Sequence, residues 1–314
     1  MTTFLFSHPD FLNHDTGTGH PERSDRMRAI DRALAHEAYG PLQRREASLR
    51  DDDEVYITQA HSQHHLANMR EIADRLGQTS THIDGDTVMS PGTWIAARRA
   101  VGAGLDAVDA VLSGSAANAF CQVRPPGHHA EHDKAMGFCL FNNVAVAAHY
   151  ARSKHGAERV AVIDFDVHHG NGTQEIFWAD KNLFYGSTHQ MPLFPGTGAL
   201  KETGVGNIFN APLSAGDGRD RFEQAFSERI IAPLDNFAPD VVIISAGFDA
   251  HNRDPLGGLR LFEDDFVWAT EQIAGVARRR AAGRIISMLE GGYDLTGLAS
   301  SVAVHVKTLM EVGS

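Results

Sequence analysis

The chain has 314 residues, 42% of them hydrophobic and 22% charged, with a formal net charge of -12. Those proportions exclude a disordered or fibrous chain, and the negative charge argues against a nucleic-acid backbone as the main partner while leaving a cationic or neutral substrate open. Two cysteines, Cys121 and Cys139, are too few for a disulfide framework; they read as core residues of a protein in a reducing compartment. No apolar run approaches the roughly 20 residues of a membrane span. The opening MTTFLFSHPD lacks a basic region followed by a long apolar stretch, so no secretory signal is evident and a cytoplasmic location is expected.

In chain order, apolar β-rich runs at 3–7, 119–123, 159–165, 183–187, 208–213, 240–246 and 284–289 predict strands. Between them, segments 21–38, 62–76, 92–113, 142–154, 219–234, 264–281 and 295–311 predict helices. Several strands are unbroken apolar runs, which is the pattern of a sheet buried on both faces. The alternation predicts an α/β fold with a central, mostly parallel sheet flanked by helices. No repeat, low-complexity tract or linker interrupts it, so residues 1–314 read as one domain. The irregular stretch 188–207 exceeds the usual loop length, which suggests a functional loop.

Four predicted strands run into unusual chemistry: RPPGHHAEHDKAMGF, DVHHGN, GFDAHNRDP and EGGYD. Ligands of open α/β sheets bind beyond the carboxyl ends of strands, so these four segments are expected to meet at one rim. Asp164, Asp166 and His168 alternate, and in an extended segment they would project together. With Asp249 from a neighbouring strand they could form a three-ligand set open to water, suited to catalytic zinc and acceptable to other first-row metals. The competing reading is a capped strand–helix junction, in which Asn171 and Gln174 form a capping box.

His128 and His129 follow the stiff turn Pro125-Pro126-Gly127 and could share proton transfer, one ring being oriented by Asp164; alone, they would equally suit a surface loop. His132 is expected to be an exposed neighbour. Tyr293, after two glycines, could donate to an oxyanion or be an ordinary core tyrosine.

RPPGHHA, GFCLFNNVAVAA, DFDVHHGNGTQ, FPGTG, SAGFDAHNRDPLGG and LEGGYDL, with GTGHPERSDRM near the N-terminus, together resemble the zinc-dependent histone deacetylase family. The pattern is that of its class II-like branch and the related bacterial amidohydrolases and acetylpolyamine amidohydrolases. The resemblance implies an arginase-like α/β domain. It implies zinc held by Asp166, His168 and Asp249. His129 would be the general base and His128 its partner, supported by Asn171 and Asp164 respectively. Class I members usually carry Asp at the position of Asn171.

By the same resemblance, Tyr293 would donate to the oxyanion, Phe138 and Phe194 would wall an acyl-lysine tunnel, and Gly137 would lie beside the substrate amide. Potassium would sit on Asp164, Ser187 and the carbonyls of Asp166 and His168. The implied reaction is hydrolysis of an acetylated amine, on a lysine of a protein or peptide or on a small amine. Leu256, expected at the tunnel rim, offers no counter-charge for a polyamine, whereas Asp86 could supply one. Two further readings are a two-manganese ureohydrolase, which wants more carboxylates than DVHHGN and FDAHNRD provide, and a non-catalytic acyl-lysine binding module, which would have lost part of the constellation. Neither a membrane nor a nucleic acid is expected as partner, and no oligomeric state follows.

Overall fold

The apolar runs do become strands, and they pair in parallel throughout the main sheet. The computed structural model describes residues 2–313. Its strands are β1 (Thr3–Ser7), β2 (Gln43–Glu46), β3 (Thr81–His82), β4 (Val88–Met89), β5 (Asn118–Cys121), β6 (Val160–Asp164), β7 (Leu183–Gln190), β8 (Ile208–Leu213), β9 (Val241–Ala246) and β10 (Ile285–Leu289). Eight of them form one sheet in the order β2-β1-β5-β10-β9-β6-β7-β8, and β3 pairs with β4 in a small antiparallel ladder. The helices are α1 (Asp25–Leu34), α2 (Asp53–Ala60), α3 (Gln63–Arg75), α4 (Thr93–Leu112), α5 (Asn143–His155), α6 (Asn171–Phe177), α7 (Arg219–Phe226), α8 (Ala232–Phe237), α9 (Glu263–Arg280) and α10 (Leu295–Val312).

Every residue of β5, β6, β9 and β10 is buried, because helices cover both faces. Successive side chains of a strand point to opposite faces. Ser287 accordingly meets His305 of α10 at 2.8 Å, while Met288 packs beside Gly104 of α4. The four central strands, β5-β10-β9-β6, are the ones that run into the polar segments, so adjacency in the sheet gathers residues distant in sequence.

Some boundaries differ from the sequence reading, for identifiable reasons. The helix expected over 21–38 is confined to Asp25–Leu34, because Glu22 enters a buried charge cluster instead. The helix expected over 219–234 breaks into α7, a π-helical turn at Ser227–Ile231 and α8; Pro233 has no N–H to continue the ladder. β2 reads QRRE and is exposed throughout, an edge strand protected by charge that leaves no apolar signal. β6 ends at Asp164 and the chain bends through 166–168, so Asp166 and His168 are presented by a loop and not by an extended strand. Asn171 is the first residue of α6, not its cap, and the capping box of the competing reading is not formed. The loop after β7 is held by Glu202, whose carboxylate accepts from the backbone of Gly198 at 2.9 Å and Ala199 at 3.1 Å.

Candidate active site

Asp166, His168 and Asp249 come together as expected: one ligand atom from each lies within 4.8 Å of the other two, and all three residues are buried. His168 Nδ1 is 3.1 Å from Asp166 Oδ1 and 3.1 Å from Asp249 Oδ2. Backbone amides hold the carboxylates in place: Asp166 accepts from Gly291 at 2.9 Å and His168 at 2.9 Å, and Asp249 accepts from Val167 at 2.8 Å. A Cβ at Gly291 would fall 2.1 Å from Asp249 Oδ2 and 2.5 Å from Asp166 Oδ2, so only glycine admits the turn so close to the pair.

Among the described residues, no lysine or arginine forms an ion pair with Asp164, Asp166 or Asp249. Burial, then the charge of Asp166, raises the Asp249 pKa to about 7. Two buried carboxylates and an imidazole with no lysine or arginine paired to them are a donor set that fits a divalent metal. This is the one such group found among the described residues.

The two histidines beside it differ in surroundings. His128 Nδ1 lies 3.0 Å from Asp164 Oδ2, which also accepts from the Tyr185 hydroxyl at 3.0 Å. Burial disfavours charge on His128, but Asp166 and Asp164 outweigh it and raise its pKa to about 10. His129 Nδ1 lies 2.8 Å from Asn171 Oδ1. Burial, the charge of His128 and that of His168 hold its pKa well below the usual value, so it stays neutral. The rings are tilted by 45° to each other, with centroids 4.0 Å apart. His132 is exposed, as expected. Cys121 and Cys139 are buried and unpaired.

A cavity of about 410 Å³ opens onto these groups, lined by His129, His168, Gly137, Phe138, Phe194, Leu256, Asp86 and Tyr293 among others. Every residue expected at the tunnel is therefore present in it. Phe194, 41% exposed, stands edge-on to His129 at 5.0 Å, and Phe138 stands edge-on to Tyr293 at 5.9 Å. Gly137 has φ +56, and a Cβ there would meet His129 Cδ2 at 2.5 Å. Phe138 follows at φ 69, a conformation that costs a non-glycine residue energy and turns its ring into the cavity. Asp164 and Ser187 are register partners on β6 and β7.

Several contributors left little mark in the sequence. His20, His82 and Leu193 also line the cavity. Glu290 is buried and accepts from the amides of Gly127 at 2.6 Å and His128 at 3.1 Å and from the Ser245 hydroxyl at 3.0 Å, so it holds the histidine turn. Asp254 accepts from the amides of Tyr293 at 2.6 Å and Leu256 at 3.0 Å, tying the rim to the tyrosine. Glu22 bonds Arg26 at 3.0 Å and Arg124 at 2.5 and 2.7 Å, with all three side chains 0% exposed. Arg26 in turn donates to the carbonyls of Gly292 at 2.7 Å and Glu290 at 2.5 Å. The signal available was GHPERSDRM, where charged residues stand in place of a helix's apolar stripe.

Residues 20–309 match the histone deacetylase domain family. The chain is 38% identical over 314 residues to a histone deacetylase-like amidohydrolase of Pseudomonas aeruginosa, covering 94% of this chain and 81% of that protein. It is 38% identical over 303 residues to histone deacetylase 10, chloroplastic, of Oryza sativa subsp. japonica, covering 90% and 68% respectively. The crystal structure of the HDA15 HD domain superposes with a TM-score of 0.92 at 35% identity, over 99% of this chain and 90% of that one. The chain belongs to the histone deacetylase family, and its fold is that of the family's catalytic domain. Deacetylase or amidohydrolase activity accompanies that membership.

Proposed function

We propose that the protein is a zinc-dependent deacetylase that removes acetyl or related acyl groups from lysine side chains of proteins or peptides. It would act as one catalytic domain spanning 1–314, in the cytoplasm. The observation that carries the reading is the cavity lined by Phe138, Phe194, His129, His168 and Tyr293: a long, uncharged acyl-lysine arm would lie against the two phenylalanines, and its amide would arrive at titratable groups.

Asp166, His168 and Asp249 would hold zinc, which when bound supplies Lewis acidity to the scissile carbonyl and a water of lowered pKa. His129, neutral and with Nδ1 occupied by Asn171, takes the water proton at Nε2. His128, kept protonated beside Asp164, assists transfer of a proton to the leaving amine. The Tyr293 hydroxyl donates to the oxyanion. Phe138 and Phe194 exclude bulk water, and Gly137 leaves room for the amide. Asp164, Ser187 and the carbonyls of Asp166 and His168 would hold potassium, which steadies the loop that carries the ligands.

Asp86 in the cavity lining favours a second reading, an acetylated polyamine or other small cationic amine. The two are separated by kcat/KM for acetyl-lysine peptides against acetylspermidine. The wild type is expected to prefer the peptides, because Leu256 offers apolar contact and no counter-charge. Leu256→Glu is expected to shift the ratio toward acetylspermidine. A wild type that already prefers acetylspermidine would reject the lysine reading and leave the deacetylase chemistry standing.

A further inference from the structure

Asn171 poses a problem that an aspartate in its place would not. A carboxylate accepts at both oxygens, whereas an amide has one acceptor end and one donor end. Only the acceptor end, facing His129, leaves the proton on Nδ1 and a free lone pair on Nε2. Turned around, the amide would donate to Nδ1, push the proton to Nε2 and disable the atom that must accept from water. His129 alone does not decide between these states, since neutral imidazole can donate or accept at either nitrogen.

The other end of the amide decides. Asn171 Nδ2 lies 2.7 Å from Glu131 Oε1, 3.4 Å from the carbonyl of His129 and 3.4 Å from Met136 Sδ. All three are acceptors, and the short contact is to the carboxylate. A hydrogen bond to an ionised acceptor is roughly twice as strong as a neutral one. We infer that Glu131 is a positioning residue: by binding the donor end of Asn171 it orients the amide, and through the amide it sets the tautomer of His129.

This rests on His129 being the general base. The backbone of Glu131 is fixed independently of its side chain. Its amide donates to Lys134 at 2.9 Å, and its carbonyl accepts from Lys134 at 3.4 Å and from His61 Nδ1 at 2.9 Å. Changing the side chain therefore leaves the loop anchored. The chain Glu131–Asn171–His129 restores, one residue removed, the carboxylate that an Asp at 171 would place directly on the ring.

Glu131→Lys tests the claim most sharply, because an ammonium only donates. It should draw Asn171 Oδ1 to itself and present the donor end to His129. The expected result is a fall in kcat on the order of 10²–10⁴, the cost of holding a catalytic histidine in the wrong tautomer, with zinc content and KM close to wild type. Glu131→Gln, which can satisfy either end, should cost about tenfold or less.

Adding Asn171→Asp to either variant removes the donor end, so most of the lost kcat should return. A role of Glu131 in loop stability alone would not be rescued this way. The Gln pair carries the same test if the Lys variant does not fold. Undiminished kcat in both single variants, or a loss that Asn171→Asp does not repair, overturns the inference. His129→Ala is the separate control: wild-type turnover there would remove the base assignment itself, whereas loss of activity with zinc retained upholds it.

Discussion

Tyr293 is held at the cavity by a carboxylate on its backbone and a guanidinium on its ring. Asp254 accepts from its amide, and the Arg26 guanidinium sits 5.1 Å over its ring. Burial, then the charge of Asp249, pushes its pKa well above the usual value, so the hydroxyl keeps its proton and can donate. Tyr293→Phe is therefore expected to retain bound metal and lose roughly 10²–10³ in kcat, the effect of removing one oxyanion donor. If kcat held and only KM moved, the hydroxyl would contribute uniform binding and nothing specific to the transition state.

At this scale the sequence was most legible where chemistry conflicted with environment. Asp166, His168 and Asp249 stood out because carboxylates and imidazoles beside apolar strands are costly to bury without a partner. Glu131, Glu290 and Asp254 did not stand out, since a lone acidic residue in a loop reads as solvated. Their partners are backbone amides, a serine hydroxyl and an asparagine that no spacing rule connects.

Among elements, α1 and the turn after β5 are joined by Glu22, Arg26 and Arg124 in a setting without water access. Arg124 and Arg26 between them anchor the carbonyls of Phe11, Gly292 and Glu290. Burial opposes charge on Glu22, but Arg124 and the hydrogen bonds of His14 and Arg124 hold its pKa well below the usual range. Glu22→Gln would leave two buried guanidinium groups without their counter-ion. The expected loss is about 3–5 kcal/mol of unfolding free energy, read from the denaturant midpoint. A midpoint equal to wild type would mean the cluster is hydrated or replaceable.

The elements with strong apolar periodicity were legible: β5, β6, β9, β10, α4, α9 and α10 all fall within a few residues of expectation. α2 and β2 were not. α2 is eight residues long, too short for a helical period to emerge, and β2 is held by pairing with β1 rather than by burial.

At the scale of the whole molecule, His305 of α10 ties together α9 and β10 of the central sheet. The Thr270 hydroxyl donates to the Phe266 carbonyl at 2.6 Å and so accepts from His305 Nδ1 at 2.7 Å; His305 Nε2 accepts from Ser287 at 2.8 Å. Burial lowers its pKa from 6.5 to about 3. His61, between the Glu131 carbonyl and the Asn142 amide, is lowered to about 3 by burial and by His65.

The unfolded chain binds protons at these groups that the folded chain does not. Their stabilisation is thus complete above about pH 6.5 and is lost as pH falls toward about 3, by up to about 1.4 kcal/mol per pH unit for each histidine. His305→Asn should destabilise the protein at pH 7, and the gap to wild type should narrow at pH 5. A gap that stays constant would show that His305 does not titrate between the two states. The parallel architecture itself was legible from the strand–helix alternation. The order of strands was not, because β5 pairs with β10 through residues more than a hundred positions apart, and no local signal marks β10 as the sheet neighbour of β9.

The central claim, that this cavity performs metal-dependent deacetylation, is tested most directly by measuring hydrolysis of an acetyl-lysine peptide by the purified protein before metal removal, after it, and after zinc is returned. Activity should disappear when the metal is stripped and return as about one zinc per chain is bound, because a single three-ligand set supplies the site. Undiminished hydrolysis by fully metal-free protein would contradict it.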